Sequence, residues 1–204
     1  MKGIAHTLLS LIPYFHFIKD TSKLPQPITF RMWFMQKVLG FNRKAYWPVH
    51  HRSVVNVPKN YLLGINVFPG YSPGCYIQGI GKVHIDDYTV IEEGVGIIGA
   101  NHFILDIRKH MPGYVKIGKY CVLGKGSIIL PNVELGDHTH VLPGAVVKDS
   151  FKDGNCIVGG NPAVYIGPLE KADIEKSAVV SEVKYRGYIR DKDFEQYRKA
   201  NLWV

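Results

Sequence analysis

The chain has 204 residues, 46% hydrophobic and 21% charged, a composition that suits a folded domain and excludes an intrinsically disordered protein. Its 25 basic and 17 acidic residues give a net charge of +8, which favours anionic partners; because the basic residues are scattered without a nucleic-acid-binding motif, we expect no nucleic acid partner. Three cysteines without a C-x-x-C spacing argue against a disulfide framework and for a reducing compartment.

The N-terminal segment 1–60 is rich in aromatic side chains and carries no repeat. An apolar run at positions 8–18 is too short to span a membrane, which takes roughly 17–25 residues, and Pro13 and His16 interrupt it. No cleavage-site pattern follows it, so we predict a cytoplasmic protein and keep a peripheral contact with the inner face of the membrane as an alternative. Residues 30–38 predict an amphipathic helix, and we expect residues 1–60 to cap the domain that follows.

The centre of the chain repeats with a period of six. Branched aliphatic residues recur at every sixth position in two runs, namely Ile85, Ile91 and Ile97, then Ile117, Leu123, Ile129, Leu135, Val141 and Val147. Two positions before each of them stands a small or β-branched residue, from Val83 to Ala145. This period fits a coil with three flat sides of equal length, with the aliphatic columns inside and Gly, Asp and Asn at the corners. The sequence therefore predicts an all-β solenoid over residues 61–167.

The repeat changes phase once. After Ile97 the next aliphatic residue is due at position 103 but comes only at Ile117, so an insertion separates the two runs. The segment 103–116 is polar and basic and predicts a loop extruded from one corner. Because the solenoid does not need this insertion, we interpret the loop as functional. Upstream of Ile85 the pattern weakens, since Pro73 and Gly79 occupy aliphatic positions, and we expect an irregular first coil.

The last part of the chain, residues 168–204, is charged and predicts a helix around residues 191–201. Asp191 and Asp193 fall in the first turn of this helix, where negative charge suits the helix dipole. We expect the segment to pack on the solenoid or on a neighbouring subunit. The predicted organisation is thus a helical and irregular cap (1–60), the solenoid (61–167) and a helical extension (168–204).

Five motifs in the chain resemble those of a known family. They are Trp-Pro-Val at 47–49, Ser-Pro-Gly-Cys-Tyr-Ile at 72–77, Gly-Ala-Asn-His at 99–102, Ile-Leu-Pro-Asn-Val-Glu-Leu-Gly at 129–136 and Gly-Gly-Asn-Pro-Ala at 159–163. With them, residues 47–168 resemble the hexapeptide-repeat O-acetyltransferases, in particular the capsular or exopolysaccharide and the maltose/galactoside enzymes. The resemblance implies a left-handed parallel β-helix, a homotrimer with active sites between subunits, and acetyl-CoA as cosubstrate.

The resemblance also assigns roles to residues. It implies that His102, just before the extruded loop, is the catalytic base. The residues it implies for acetyl-CoA binding follow the loop: Gly124, Lys125, Pro143, Gly144, Lys148, Asn161 and Pro162. Three positions depart from the family, since Val122, Asp149 and Val164 stand where many members have Trp or residues that contact the cofactor phosphates. Lys125, Lys148 or Lys152 is expected to take over those phosphate contacts.

Four further residues are candidates for binding the acceptor. Asn101, Asp106 and Arg108 lie close to His102 in the sequence, and His84 precedes it by one full coil. Each has a structural alternative: Asn101 orients the loop, His84 stacks in its column, and the two charged residues are solvated. The imidazole suits removal of a hydroxyl proton during acetyl transfer. Because no Ser or Cys lies in a nucleophile-elbow pattern, direct transfer is favoured over an acyl-enzyme.

These features predict O-acetylation of a sugar in surface-polysaccharide assembly, the polysaccharide being implied by the resemblance alone. The first alternative is N-acetylation of an amino sugar nucleotide or another small amine. A metalloenzyme of the γ-carbonic-anhydrase type would need three spaced histidines. His138 and His140 are nearly adjacent, and His102 and His110 have no evident third partner, so we expect no metal. A non-catalytic scaffold is the last alternative.

Overall fold

The computed structural model describes residues 15–177 and 182–204, so most of the apolar run at 8–18, with its proposed membrane contact, lies outside the described residues. The helices are α1 (His16–Asp20), α2 (Phe30–Trp33), α3 (Lys171–Ser177) and α4 (Asp191–Asn201); a π-helical turn (Phe34–Val38) continues α2, and a 3₁₀ turn spans Pro58–Asn60. The strands are β1 (Val54–Asn56), β2 (Tyr61–Leu63), β3 (Tyr76–Gln78), β4 (Lys82–Ile85), β5 (Val90–Ile91), β6 (Gly96–Ile98), β7 (Ala100–Phe103), β8 (Asp106–Pro112), β9 (Tyr114–Ile117), β10 (Val122–Leu123), β11 (Ile128–Ile129), β12 (Glu134–Leu135), β13 (Thr139–Val141), β14 (Val146–Val147), β15 (Cys156–Gly160), β16 (Ala163–Pro168), β17 (Tyr185–Arg186) and β18 (Ile189–Arg190).

Three parallel sheets form the walls of a coil. Wall A contains β1, β3, β6, β11 and β14, wall B contains β2, β4, β9 and β12, and wall C contains β5, β10, β13 and β15. Beyond β15, the strand β16 pairs antiparallel at the end of wall C. The chain visits them in the order A, B, C and then returns to A, so each strand pairs with the strand of the next coil on the same wall. We name the edges AB, BC and CA after the walls that they join.

The predicted inward columns form the core. Each of the nine aliphatic residues is buried, with an exposed fraction of at most 2%: Ile85, Ile91, Ile97, Ile117, Leu123, Ile129, Leu135, Val141 and Val147. The small column two positions earlier is buried as well, including Cys121, which packs there as the sequence predicts. Each coil covers the apolar surface of the next, which is the main source of stability in a repeat of this kind.

Strand register locates the insertion. On wall A, Ile129 pairs with Val147, which is the next coil at the regular spacing of the repeat. Ile97 pairs with Ile129 on the same wall, although a much longer stretch of chain separates these two residues. The extra stretch leaves the solenoid at the AB edge, between β6 and β9. Ahead of this point Ile77, rather than Gly79, stands opposite Ile97 on wall A, because residues 79–81 form a longer corner in the second coil.

The BC edge is held by residues in the left-handed backbone region. Tyr88, Tyr120 and His138 occupy equivalent corners with φ of 59°, 54° and 55°. Their rings form a ladder, with centroids 5.3 Å apart for Tyr88 and Tyr120 and 5.0 Å apart for Tyr120 and His138. Ring stacking between coils offsets part of the strain of placing non-glycine residues there.

Both terminal segments cover the first coil. Trp47 is fully buried and donates from Nε1 to the carbonyl of Pro69 at 2.7 Å. From the other end of the chain, residues 182–204 return to the same place: the Asn66 amide donates to Val183 O at 2.8 Å, and Asn66 Oδ1 accepts from Tyr185 N at 3.1 Å. The C-terminal extension thus packs on the solenoid beside the N-terminal segment.

The hydroxyl of Tyr185 joins the two terminal segments. It donates to Asp20 Oδ2 at 2.6 Å, lies 3.0 Å from His16 Nδ1 and accepts from Arg190 Nε at 3.2 Å. The Tyr185 side chain is buried, and burial raises the pKa of its hydroxyl well above the ordinary value. A buried group with this many partners is costly to remove, because each partner then loses a hydrogen bond.

We predict that Tyr185→Phe lowers the free energy of unfolding by about 1–3 kcal/mol, since Asp20, His16 and Arg190 lose their common partner. Urea denaturation at a fixed protein concentration measures the change. Tyr165→Phe, at an exposed tyrosine of β16, is the matched control and should leave the midpoint in place. Equal midpoints for Tyr185→Phe and the control would contradict the role of this hydroxyl.

Candidate active site

The insertion begins and ends at two glycines of the AB edge. Gly113 N donates to Gly99 O at 2.8 Å, which closes the base of the insertion. Gly81 of the preceding coil lies against both residues, so that a Cβ at position 81 would overlap the carbonyl oxygens of Gly99 and Gly113. This close backbone approach requires glycine and fixes where the insertion leaves the wall.

The insertion is a β-hairpin rather than an open loop. β7 and β8 pair antiparallel, with Asn101 opposite Met111 and His102 opposite His110. Residues 114–116, which the sequence assigned to the loop, lie in β9 of wall B. The hairpin side chains are almost all exposed, including Ile104 and Leu105 at the turn. Two paired strands hold His102 more firmly than a free loop would.

The imidazole of His102 has one defined partner. Its Nδ1 lies 2.6 Å from the carbonyl oxygen of Ile107, on the opposite strand of the hairpin. Because a carbonyl oxygen can only accept, Nδ1 carries a proton and donates it. The neutral ring then has its lone pair on Nε2, and the side chain is exposed, so Nε2 is available to a substrate hydroxyl.

A second imidazole lies beside it. The ring centroids of His102 and His110 are 4.5 Å apart, with 42° between the ring planes. Sequence reasoning considered His110 only as a metal ligand and missed this pairing, because the partner of His102 depends on the antiparallel register of the hairpin. The two rings are on the same face of the hairpin, as directly opposed side chains are.

The hairpin also carries the other residues that the sequence predicts to bind the acceptor. Arg108 donates from Nε to Asp106 Oδ1 at 2.8 Å and from Nη2 to Oδ2 at 3.2 Å, so the two charges are already paired. The pairing of β7 and β8 becomes irregular after His102, where Phe103 stands opposite Asp106, so strand alternation does not assign Arg108 to the face of the imidazoles. Asn101, one position before His102, points to the opposite face from His102. The structure thus places Asp106 and Arg108 on the same hairpin as His102 and turns Asn101 away from the imidazoles.

His84 lies apart from the hairpin, on the outer face of wall B. Its Nε2 is 3.0 Å from Asp86 Oδ1, and its neighbour in the next coil is Lys116. The hydrogen bond from His84 holds the pKa of the Asp86 carboxyl below its ordinary value, although burial opposes this shift. His84 therefore has a defined contact with Asp86, and its role at the acceptor stays a prediction.

The residues implied for cofactor binding follow the CA edge. Gly124 and Lys125 form the corner of one coil and Pro143 and Gly144 that of the next, and Gly144 N donates to Lys125 O at 2.9 Å. The turn with Asn161 and Pro162 follows β15 and so continues this edge. The Lys125 ammonium is 3.0 Å from Glu93 Oε2.

Lys148 is the exception, because it lies on the AB edge and its ammonium is 2.6 Å from Asp149 Oδ2. The CA edge carries the other cofactor candidates and the AB edge carries the hairpin with His102. Wall A therefore separates these two groups within one chain. A single copy of the protein does not bring its imidazole to its own row of corner glycines.

The described part of the chain contains neither a metal-binding cluster nor a membrane-spanning helix. Within residues 15–177 and 182–204, no group of three or more His, Cys, Asp or Glu side chains is arranged to hold a metal ion. In the same ranges, no helix combines the length and apolar character needed to cross a bilayer.

The repeats are similar to those of known proteins. Residues 114–149 match the family model described as bacterial transferase hexapeptide (six repeats). The maltose O-acetyltransferase from Clostridium difficile 630 has a similar structure, with a TM-score of 0.58 and 21% identity over 83% of this chain and 91% of that one. A hexapeptide-repeat acetyltransferase from Vibrio cholerae O1 biovar eltor, complexed with acetyl-CoA, gives a TM-score of 0.50 and 16% identity over 81% and 86%. These likenesses imply a left-handed β-helix and confirm the resemblance to hexapeptide-repeat acetyltransferases.

Among curated proteins, the UDP-3-O-acylglucosamine N-acyltransferase of Janthinobacterium sp. (strain Marseille) is 33% identical over 105 residues. The match covers 45% of this chain and 28% of that protein. The chain spans only part of the curated relatives that it matches. The matched region makes up between 28% and 59% of the length of those proteins.

Acid stability tests the His84–Asp86 contact. A carboxyl whose pKa is lower in the folded state stabilises the fold above its unfolded pKa, and this contribution is lost as the pH falls through the folded pKa. We predict that Asp86→Asn lowers the melting temperature at pH 6, and that the difference from wild type shrinks from about pH 4 downwards. Thermal melts across this range measure it, with Asp153→Asn, at an exposed carboxylate, as control. A pH-independent difference would contradict the prediction.

Proposed function

We propose that the protein is an acetyl-CoA-dependent acetyltransferase in which His102 is the general base. The observation that carries the proposal is the contact of His102 Nδ1 with Ile107 O at 2.6 Å, because it leaves Nε2 free on an exposed hairpin. The hairpin leaves a solenoid of the type found in the acetyltransferases named above. Asp106 and Arg108 on the same hairpin are proposed to contact the acceptor.

The CA edge suits acetyl-CoA, the donor of the acetyl group. Bound there, acetyl-CoA would supply an activated acetyl thioester. The corner glycines Gly126 and Gly144 have φ of 68° and 71°, and nothing lies within 4 Å of the place where a Cβ would be. This open cradle exposes backbone groups to a pantetheine arm, with Gly124, Lys125, Pro143, Asn161 and Pro162 along its length. Lys125 carries positive charge at this edge once its pair with Glu93 opens. Lys148, on the AB edge and paired with Asp149, would have to come from a neighbouring copy.

Transfer is proposed to be direct. His102 Nε2 takes the proton of the acceptor hydroxyl as its oxygen bonds to the acetyl carbon, and returns a proton to the thiolate that leaves when the C–S bond breaks. The three cysteines are buried, and burial raises the pKa of the Cys121 thiol to about 12, so none is a suitable nucleophile. A backbone N–H of a facing coil would stabilise the oxyanion.

We propose a sugar hydroxyl as the acceptor, within a surface-polysaccharide precursor. N-acetylation of an amino sugar nucleotide is the second candidate, favoured by the N-acyltransferase among the relatives. The predicted boundaries at residues 60 and 167 remain proposals. The three free buried thiols support a cytoplasmic location, since the cytoplasm is a reducing compartment.

A homotrimer would complete the site. Wall A separates His102 from the CA edge of its own chain, so a neighbouring copy has to present one of the two groups. The outer column of wall A is apolar and exposed at Val54, Tyr76 and Ile128. Wall C also has an apolar outer column, which includes Val90 and Val122, whereas wall B is charged. Exposed apolar columns on two walls support self-association through those walls.

Separate substitutions of His102 and His110 test which of the two imidazoles is the general base. We predict that His102→Ala lowers kcat/KM by about 10²–10⁴-fold, because the hydroxyl loses its proton acceptor. CoA release is measured over a panel of sugars and amines; preference for amines would favour the second candidate. His110→Ala removes the neighbouring ring and should retain most of the activity. The opposite ranking of the two variants would show that His110 is the base.

The trimer is tested on wall A. We predict that Ile128→Glu shifts the sedimenting species from trimer to monomer and abolishes activity, since a buried unpaired carboxylate in an interface is strongly destabilising. Lys116→Glu, on the charged outer face of wall B, should leave the assembly intact. A trimer that survives Ile128→Glu with full activity would rule out wall A as the contact.

A further inference from the structure

A cavity at the capped end of the solenoid lies outside the site described above. It has a volume of about 660 Å³ and lies between the first coil and the C-terminal segment. We call it the cap pocket, and its lining includes Lys44, Val57, Pro58, Lys59, Asn201 and Trp203. A volume of this size matches ordinary sites for small organic ligands.

The lining of the cap pocket combines an aromatic surface with positive charge. The Trp203 side chain is 61% exposed, and the Lys59 ammonium lies 5.0 Å from its ring centroid. Trp203 N also donates to Lys59 O at 2.8 Å, which holds the two residues together. Lys44 is a second cation, and no carboxylate side chain is among the lining residues. An anionic group is therefore favoured inside the pocket.

The wall of the pocket holds a strained residue. Val57 has φ 48° and ψ 58°, the left-handed region, which a β-branched side chain rarely adopts. It starts the turn Pro58–Asn60, and the Asn60 amide fixes this turn by donating to Gly79 O at 2.8 Å. The turn holds Lys59 against Trp203. Backbone strain of this kind concentrates at functional sites.

The pocket and the catalytic hairpin share one edge. The turn at Pro58–Asn60 connects wall A to wall B in the first coil, residues 79–81 do so in the second, and the hairpin does so in the third. Strands of neighbouring coils lie about 4.8 Å apart, so two coils amount to about 10 Å along the axis. An extended ligand can therefore reach both places along the AB edge.

We propose that the cap pocket binds an anionic sugar unit of an extended acceptor, whose acetylated unit lies at His102. The aromatic face of Trp203 suits the apolar face of a sugar ring, the two lysines suit its carboxylate or phosphate, and Asn201 suits its hydroxyls. This inference rests on the proposed acetyl transfer for the role of His102. The binding itself does not depend on it.

Binding is tested on the full-length protein without acetyl-CoA. Oligogalacturonate, an acidic sugar chain, is titrated while tryptophan fluorescence is followed; maltohexaose is the neutral chain and glucose 1-phosphate the isolated anionic unit. We expect oligogalacturonate to shift the Trp203 emission and maltohexaose to bind at least about 10-fold more weakly. Failure of oligogalacturonate to bind, or binding of glucose 1-phosphate alone, would overturn the proposal.

Variants locate the binding. Trp203→Ala and the pair Lys44→Gln/Lys59→Gln should each weaken oligogalacturonate binding at least about 10-fold, as measured by titration calorimetry, because Trp203→Ala removes the fluorescent reporter. Lys171→Gln, at the start of α3 beyond wall C, removes one positive charge outside the pocket and should bind as wild type. Equal weakening of oligogalacturonate binding in all variants, including Lys171→Gln, would indicate that overall charge drives the binding and would overturn the proposed pocket.

Steady-state kinetics test whether the cap pocket and the hairpin bind the same acceptor molecule. Lys59→Gln should raise KM for oligomeric acceptors without changing kcat, and should leave monosaccharide acceptors unaffected. His102→Ala should bind oligogalacturonate as wild type. Retained binding with no acetyl transfer to any acceptor would refute the proposed function and leave the pocket, whereas an unchanged KM in Lys59→Gln would refute the extended acceptor.

Discussion

Backbone hydrogen bonds between successive coils hold every functional group of this protein in place. Each wall strand pairs in parallel with its equivalent in the next coil, and the buried aliphatic columns keep that pairing in register. A shift by one position would turn Ile117 or Ile129 outward and is therefore strongly disfavoured. The position of the hairpin, the row of corner glycines and the cap pocket all follow from this register.

The side chains and corners described above lie on three different edges of the coil, and this limits which of them one molecule can bring together. The imidazoles lie on the AB edge, the open glycine corners lie on the CA edge, and the aromatic ladder stabilises the BC edge. A rigid prism cannot fold these edges onto each other, so a reaction that needs two of them has to recruit another molecule. The apolar outer columns of walls A and C provide surfaces for such a contact. Under the proposed function, assembly and catalysis are coupled by geometry.

Much of the fold could be predicted because the repeat is a pattern of short spacing along the sequence. The aliphatic residues that recur at every sixth position are all buried. The position of His102 at the insertion could be predicted for the same reason. The hairpin could not, because its strands mix polar residues with exposed apolar ones such as Phe103, Ile107 and Met111 and show no regular alternation. The Ile107 carbonyl and the His110 ring became visible only through that pairing. The contacts of Asn66 with residues 183 and 185 join distant parts of the chain and have no local signal.

The glycine pair at the base of the hairpin has an evolutionary consequence. Gly99 and Gly113 meet through a hydrogen bond of 2.8 Å, so the chain leaves the coil and rejoins it at nearly the same point. Whatever lies between them adds no strain to the neighbouring coils. Residues 101–112 project from the coil, so a segment of another length or composition that closes on the same glycine pair would leave the pairing of the coils unchanged. Diversification of a lineage built on this coil can therefore proceed by replacing a single segment.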